Sequence, residues 1–375
     1  MNSISKDKSW KYSNFIENIN FNFSKGQIFS VLSKNEIEDA YKVISKWENY
    51  FPTPLEKLNK LSSELGLKNI FYKDESKRFK LKSFKALGGA YAVEKISQNK
   101  KNLTVSTATA GNHGRSVAWG ARRLGINCKI FISEFVSENR AAAMRRFGAE
   151  IFRVKGNYDN SLKECIEQSK LNGWEIVQDV AWEGYELIPK LTMAGYAVMM
   201  KEISEQINKN EISHIFLQAG VGGMAAAMIA GCARYLKIIP KIIIVEPESA
   251  DCVLKAVENN KIVTIDIKKE SLMGGMSCGE VSTIPWKIIN NNCNFCMTIP
   301  DNKISDTIKL LANSSFSEKK IIGGECATPG IISLIASCSN INLKEKLKLD
   351  KNSQVLLLGC EGDVDEELYQ QLLNK

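Results

Sequence analysis

The sequence predicts an α/β protein of two domains, each built on a parallel open sheet. Three observations carry this. Strand-like and helix-like stretches alternate along most of the 375 residues, the pattern left by crossover helices between parallel strands. Glycine-rich turns end strand-like runs and open helices at residues 111–114 and 220–223. Hydrophobic residues make up 44% and charged residues 25%, ordinary values for a globular protein with ample core.

The elements follow in order. Residues 69–73 read as a strand and 84–98 as a helix. Residues 104–108 form a short strand and 112–124 a helix. A strand at 127–132 leads to a helix at 137–147, with Ser137 as its cap and Gly148 as its stop. Then come a strand at 150–154, a helix at 159–172 and a strand at 175–178. These make a compact four-strand unit, a small mobile domain over 93–186. The large domain is discontinuous, 1–92 and 187–375. Within it, 186–207 reads as one long helix, 213–218 as a strand, 224–235 as a helix and 241–245 as a buried strand. Residues 304–313 and 329–336 look helical, the second with Pro329 at its start. A late apolar strand spans 354–358. The first fifty residues are weakly patterned, and Trp10, Tyr12, Phe15, Phe21 and Phe23 suggest a segment that wraps the body or a neighbouring subunit.

Composition excludes several classes. No run of eighteen apolar residues exists to span a membrane. Residues 1–11 are polar and lack the apolar region of a secretory signal. The formal charge is +8, but lysines are scattered among acids. That pattern reads as a solvated surface, not a nucleic-acid patch. Ten cysteines without a signal peptide indicate a reduced, cytoplasmic protein. Cys293 and Cys296 could be half a zinc site, but no second pair has matching spacing, and no metal is expected.

The chemistry gathers around Lys85. A lysine opening an apolar helix is unusual, because a helix N-terminus disfavours a cation. The same field lowers its pKa, which suits an amine nucleophile. Thr109-Ala110-Gly111-Asn112-His113-Gly114 places backbone N–H groups and an amide at another helix start, a setting for an anion. Gly220-Val221-Gly222-Gly223-Met224 does the same after the 213–218 strand. Alone, that loop could be a bare turn or a dinucleotide fingerprint. Beside Lys85 and Asn112 it reads as a cradle for pyridoxal 5'-phosphate.

Together these runs resemble the fold-type II pyridoxal-phosphate enzymes, of tryptophan synthase β-like fold, over about residues 51–365. The resemblance implies that Lys85 forms the Schiff base. It implies that Asn112 bonds the ring oxygen and that Gly220, Val221, Gly222, Gly223 and Met224 hold the phosphate. Cys360 would face the pyridine nitrogen. Tyr72 to Ser76, Gly111 to Trp119, Gln178 to Tyr185 and Met273 to Glu280 are similar to the diaminopropionate ammonia-lyase subgroup. Those enzymes convert 2,3-diaminopropionate to pyruvate and two ammonia molecules. That subgroup implies Asp179 as the base for the L-isomer, with burial beside Trp182 raising its pKa, and Lys85 as the rival base. Its second aspartate, for the D-isomer, is replaced here by Ala110, so L-selectivity is expected. Gly359-Cys360 stands where the subgroup has a Ser-Thr pair. Dehydration of serine, threonine or hydroxyaspartate, β-replacement, and an idle binding subunit are the alternatives. Asp179 could instead cap a helix, and His113 could simply pack the loop. Lys73 and Lys82 read as surface charges, Cys252 and Cys278 as a conceivable reversible disulfide. The resemblance also implies a homodimer.

Overall fold

The computed structural model describes residue 4 and residues 7–98, 100–207 and 212–375. Contacts divide the chain into two compact units. The first comprises residues 1–34, 52–82 and 199–375, and the second 35–51 and 83–198.

The first unit carries seven strands, β1 (Asn14–Glu17), β2 (Leu55–Lys57), β3 (Asn69–Asp74), β8 (His214–Gln218), β9 (Lys241–Pro247), β10 (Phe295–Ile299) and β11 (Gln354–Gly359). Their order is β1-β10-β9-β8-β11-β3-β2. The inner pairings are parallel, and β1 and β2 add antiparallel edges. β8 and β11 are buried at every residue, and β9 at all but Lys241. Such continuous apolar runs belong to a sheet covered on both faces. Three of these elements, β1, β2 and β10, were not foreseen. β10 holds Cys296, with Cys293 just before it, and β1 lies in the aromatic N-terminal segment, where Phe15 stacks on Phe295 at 5.4 Å.

Lys73 is not a surface charge. It is fully buried, with Nζ 2.7 Å from Glu202 Oε2, and it also donates to Thr53 O and Gln206 Oε1 at 2.8 and 3.0 Å. Arg78 bridges Glu75 and Glu202, each at 2.8 Å. The charge is tolerated inside because every ionic group there has opposite-charge and hydrogen-bond partners. Lys82 is one-third exposed and pairs with Asp363 and Glu366, both at 3.0 Å.

The second unit holds the parallel sheet β6-β5-β4-β7, with β4 (Thr104–Ala108), β5 (Asn127–Ser133), β6 (Glu150–Val154) and β7 (Glu175–Ile176). Val105, Ile130 and Ile132 pack with Val117, Ala118 and Met144 in one cluster. Ala108, Phe131 and Cys165 form another, against Phe152 and Trp174. This unit is wider than the expected 93–186. The helices Lys85–Ser97 and Leu187–Tyr196 belong to it. A side chain at Gly88 would collide with the Tyr196 ring, and one at Gly195 with the Leu87 carbonyl, so these two helices meet backbone against backbone. The long helix expected at 186–207 is two helices, Leu187–Tyr196 and Val198–Gln206, parted at Ala197. No proline or glycine marks that break; it falls just past the close contact at Gly195.

Candidate active site

Lys85 is the first residue of its helix, and the preceding Phe84 makes no side-chain cap. Its Nζ lies 2.5 Å from Asp179 Oδ2, with side-chain exposures of 24% and 17%. The rings of Phe84 and Tyr196 flank Nζ at 5.5 and 5.6 Å from their centroids, a range in which aromatic faces attract a cation.

Asp179 follows β7 on a tied loop. Gln178 accepts from Thr107 Oγ1 at 2.5 Å and donates to Ala108 O at 2.8 Å. The Tyr185 hydroxyl accepts from the Gln178 amide and donates to Ile176 O, both at 2.8 Å. Trp182 stacks on Tyr185 at 4.0 Å. Asp179 caps no helix, since the next begins at Leu187.

Burial pushes the Asp179 carboxyl up, but the charges at His113 and Lys85 and the hydrogen bond from Lys85 hold it well below the usual range. Burial also holds the His113 ring below its ordinary value. Of the two, the Lys85 ammonium lies nearer the carboxylate, at 2.5 Å against 3.7 Å for His113 Nδ1. The rise expected from burial beside Trp182 is thus reversed, because the attractions of His113 and Lys85 and the hydrogen bonds together outweigh desolvation.

Asn112 opens the 13-residue helix Asn112–Leu124, whose first turn carries no acid. His113 follows, buried, with Nε2 2.8 Å from Val177 O. This agrees with a loop-packing role for that nitrogen. Nδ1, however, lies 3.7 Å from Asp179 Oδ2, a contact that sequence spacing did not suggest. Ala110 packs against the Val105 cluster and offers no carboxylate. Tyr196 was also missed, having no flanking motif.

The first unit carries the glycine loop. β8 ends at Gln218, Gly222 has φ 90°, and the helix Gly223–Tyr235 follows with no acid in its first turn. A Cβ at Gly220 would sit 3.0 Å from Cys278 Sγ and 3.1 Å from Gly275 O. Gly222 has no side chain to cap the helix, so Gly222, Gly223 and Met224 present backbone N–H groups at its positive end. That donor set fits a phosphate. Gln218 Nε2 donates to Cys326 O and Leu358 O at 3.0 and 2.7 Å. Cys360, just past β11, donates its thiol hydrogen to the same Cys326 carbonyl at 3.1 Å. Cys252 and Cys278 are free thiols, and Cys252 Sγ contacts Gly220 O at 3.7 Å. Cys293 and Cys296 are free, buried and 4.0 Å apart. Among the described residues, Glu325, Cys326 and Glu361 could surround a metal ion, but Glu361 already accepts from the Cys326 amide at 3.1 Å.

Lys85, Asp179, Asn112 and His113 therefore share the second unit, and the glycine loop and Cys360 share the first. Each set suits its part of a phosphate-bearing aldehyde: an amine, a hydrogen-bonding amide, an acid-free anion cradle and a soft ring partner.

Residues 46–361 match the family of pyridoxal-phosphate dependent enzymes. The chain is 34% identical over 375 residues to the diaminopropionate ammonia-lyase of Escherichia coli K12, covering 94% of each. The crystal structure of that Escherichia coli enzyme with an aminoacrylate-PLP azomethine reaction intermediate matches with a TM-score of 0.88, covering 97% of each chain at 34% identity. The same enzyme in complex with D-serine matches at 0.89 and 33% identity, again over 97% of each.

Proposed function

The chain belongs to the pyridoxal-phosphate dependent enzymes, and from that premise we propose a carbon–nitrogen lyase that eliminates ammonia from 2,3-diaminopropionate to leave pyruvate. The observation that carries this is the Lys85–Asp179 pair, an amine for the cofactor beside a carboxylate for the α-proton. The cofactor is pyridoxal 5'-phosphate. When bound, it supplies an electron sink for the charge left at Cα.

The chain's own residues do the rest. Lys85 would attach the cofactor through its amine, and Asn112 would hydrogen-bond its ring oxygen. Gly220, Val221, Gly222, Gly223 and Met224 would hold the phosphate by backbone N–H groups, and Cys360 would serve the pyridine nitrogen. Asp179 takes the α-proton. While Nζ is an ammonium, Asp179 is held too acidic to be a useful base. Once Nζ loses that charge, one of the attractions that lower the carboxyl is gone and its proton affinity rises. Asp179 is thereby a stronger base when Lys85 is engaged.

Ala110 supports L-selectivity. Alanine cannot accept a proton, so no second carboxylate stands at the position where the resemblance calls for one. The ten free thiols support a reduced cytoplasmic setting, and no helix among the described residues is long and apolar enough to cross a membrane. Exposed Ile19 and Phe21 on the N-terminal segment support a homodimer contact.

Turnover of L- and D-diaminopropionate, L-serine and L-threonine side by side tests the reading. L-diaminopropionate should dominate, and faster serine or threonine turnover would make the enzyme a dehydratase. Asp179→Asn should lower turnover of the L-isomer by about 10² to 10⁴. Unchanged turnover would move the base role to Lys85.

A further inference from the structure

His113 is explained on one side only. Its ring is buried, 4% exposed. Nε2 lies 2.8 Å from Val177 O, and a carbonyl only accepts, so Nε2 carries the hydrogen. In the neutral ring Nδ1 then holds a bare lone pair. That nitrogen is buried without a hydrogen-bond partner among the described residues. It faces Asp179 Oδ2 at 3.7 Å, the same oxygen that contacts Lys85 Nζ. A lone pair facing a carboxylate gains nothing. Facing a carboxylic acid, it accepts a hydrogen bond. A residue serving only as a strut to Val177 has no use for an unsatisfied acceptor at this spot.

We propose that His113 is a positioning residue that retains the α-proton on Asp179. The Cα–H bond breaks, its electron pair stays at Cα, and the proton bonds to an Asp179 oxygen. That O–H donates to His113 Nδ1 while Nε2–H stays on Val177 O. No charge is created on the ring. The bond exists only after proton transfer, so it favours the step itself over the resting state. The proposal rests on Asp179 being the base. The other groups acting on this pair are Lys85, Tyr185 and Tyr196, and neither tyrosine carries charge near neutral pH.

The chain has only two histidines, so ¹⁵N-histidine NMR of the holoenzyme resolves both rings, with His214→Gln to assign them. His113 should be the neutral Nε2–H tautomer at neutral pH. An Nδ1–H tautomer or a resting imidazolium overturns the proposal, and this readout needs no folded variant. His113→Leu should lower kcat for L-diaminopropionate about tenfold, with KM and cofactor absorbance kept and a larger α-deuterium isotope effect. His113→Asn, which restores an acceptor near Nδ1, should recover part of kcat. Unchanged kcat and isotope effect in His113→Leu, with Asp179→Asn impaired, overturns this proposal alone. Unchanged turnover in Asp179→Asn removes the base assignment and this proposal with it.

Discussion

Two lysine–carboxylate pairs, one in each unit, differ in how far they are closed to solvent. Lys73 and Glu202 are sealed from solvent at 2.7 Å. Around them Arg78, Glu75, Thr53 and Gln206 supply further bonds. Lys85 and Asp179 are at 2.5 Å, yet both remain partly exposed, and the third group in reach, His113, is not yet bonded. Saturation makes the first pair a fixed strut. In the second, the Lys85 charge is one of the attractions that lower Asp179, so removing that charge changes the proton affinity of what remains. Similar chemistry serves as structure when over-determined and as reactivity when under-determined.

The sharpest way to break the comparison is to delete each lysine. Lys85→Ala should abolish turnover and the adduct that borohydride fixes at this residue, read by mass spectrometry, with little change in melting temperature. Lys73→Met should do the reverse, keeping the adduct at Lys85 but destabilising the fold by about 3–5 kcal/mol, as expected when a buried charge loses its partner. Urea unfolding measures that loss. If Lys73→Met removes the adduct from a folded protein, the strut is part of the site and the contrast fails.

A third buried carboxyl sharpens the lesson. Glu246 accepts from the Val253 and Leu254 amides at 2.8 and 2.7 Å but has no cation, and burial pushes it up to about 8 from 4.5. The folded protein therefore keeps a proton that the unfolded chain releases above 4.5. This contribution to stability is complete below 4.5 and is lost as pH rises through about 8. Glu246→Gln should flatten that pH dependence, measured by urea midpoints either side of the window. Asp179, depressed instead of raised, adds stability above its unfolded value of 3.8 and loses it only in stronger acid.

Much of the second unit was legible in the sequence. β4, β6 and the Asn112–Leu124 helix fall at the expected residues, because their apolar period and their glycine stop are local signals. The misses are long-range. Lys73 looked like a surface lysine because nothing near it announces Glu202. Asp179 was assigned an upward shift because the sequence cannot show that Lys85 touches it. β1 has four residues, and its strand partner among the described residues is β10, far along the chain. The division at Ala197 falls where the backbone stays helical, with φ -63° and ψ -15°, and no local signal announces it. The side-chain types of the candidate site were readable, but their charges on one another were not.

At Gly88 and Gly195 two helices touch main chain to main chain, and this has a mechanical result. Without intervening side chains there is no soft layer in which either rod can slip along its axis. Lys85, three residues before one glycine, and Tyr196, directly after the other, are therefore indexed to each other like marks on a vernier. A single methyl at either glycine would move both marks at once, so the spacing around the reactive amine is guarded by two residues that have no chemistry of their own.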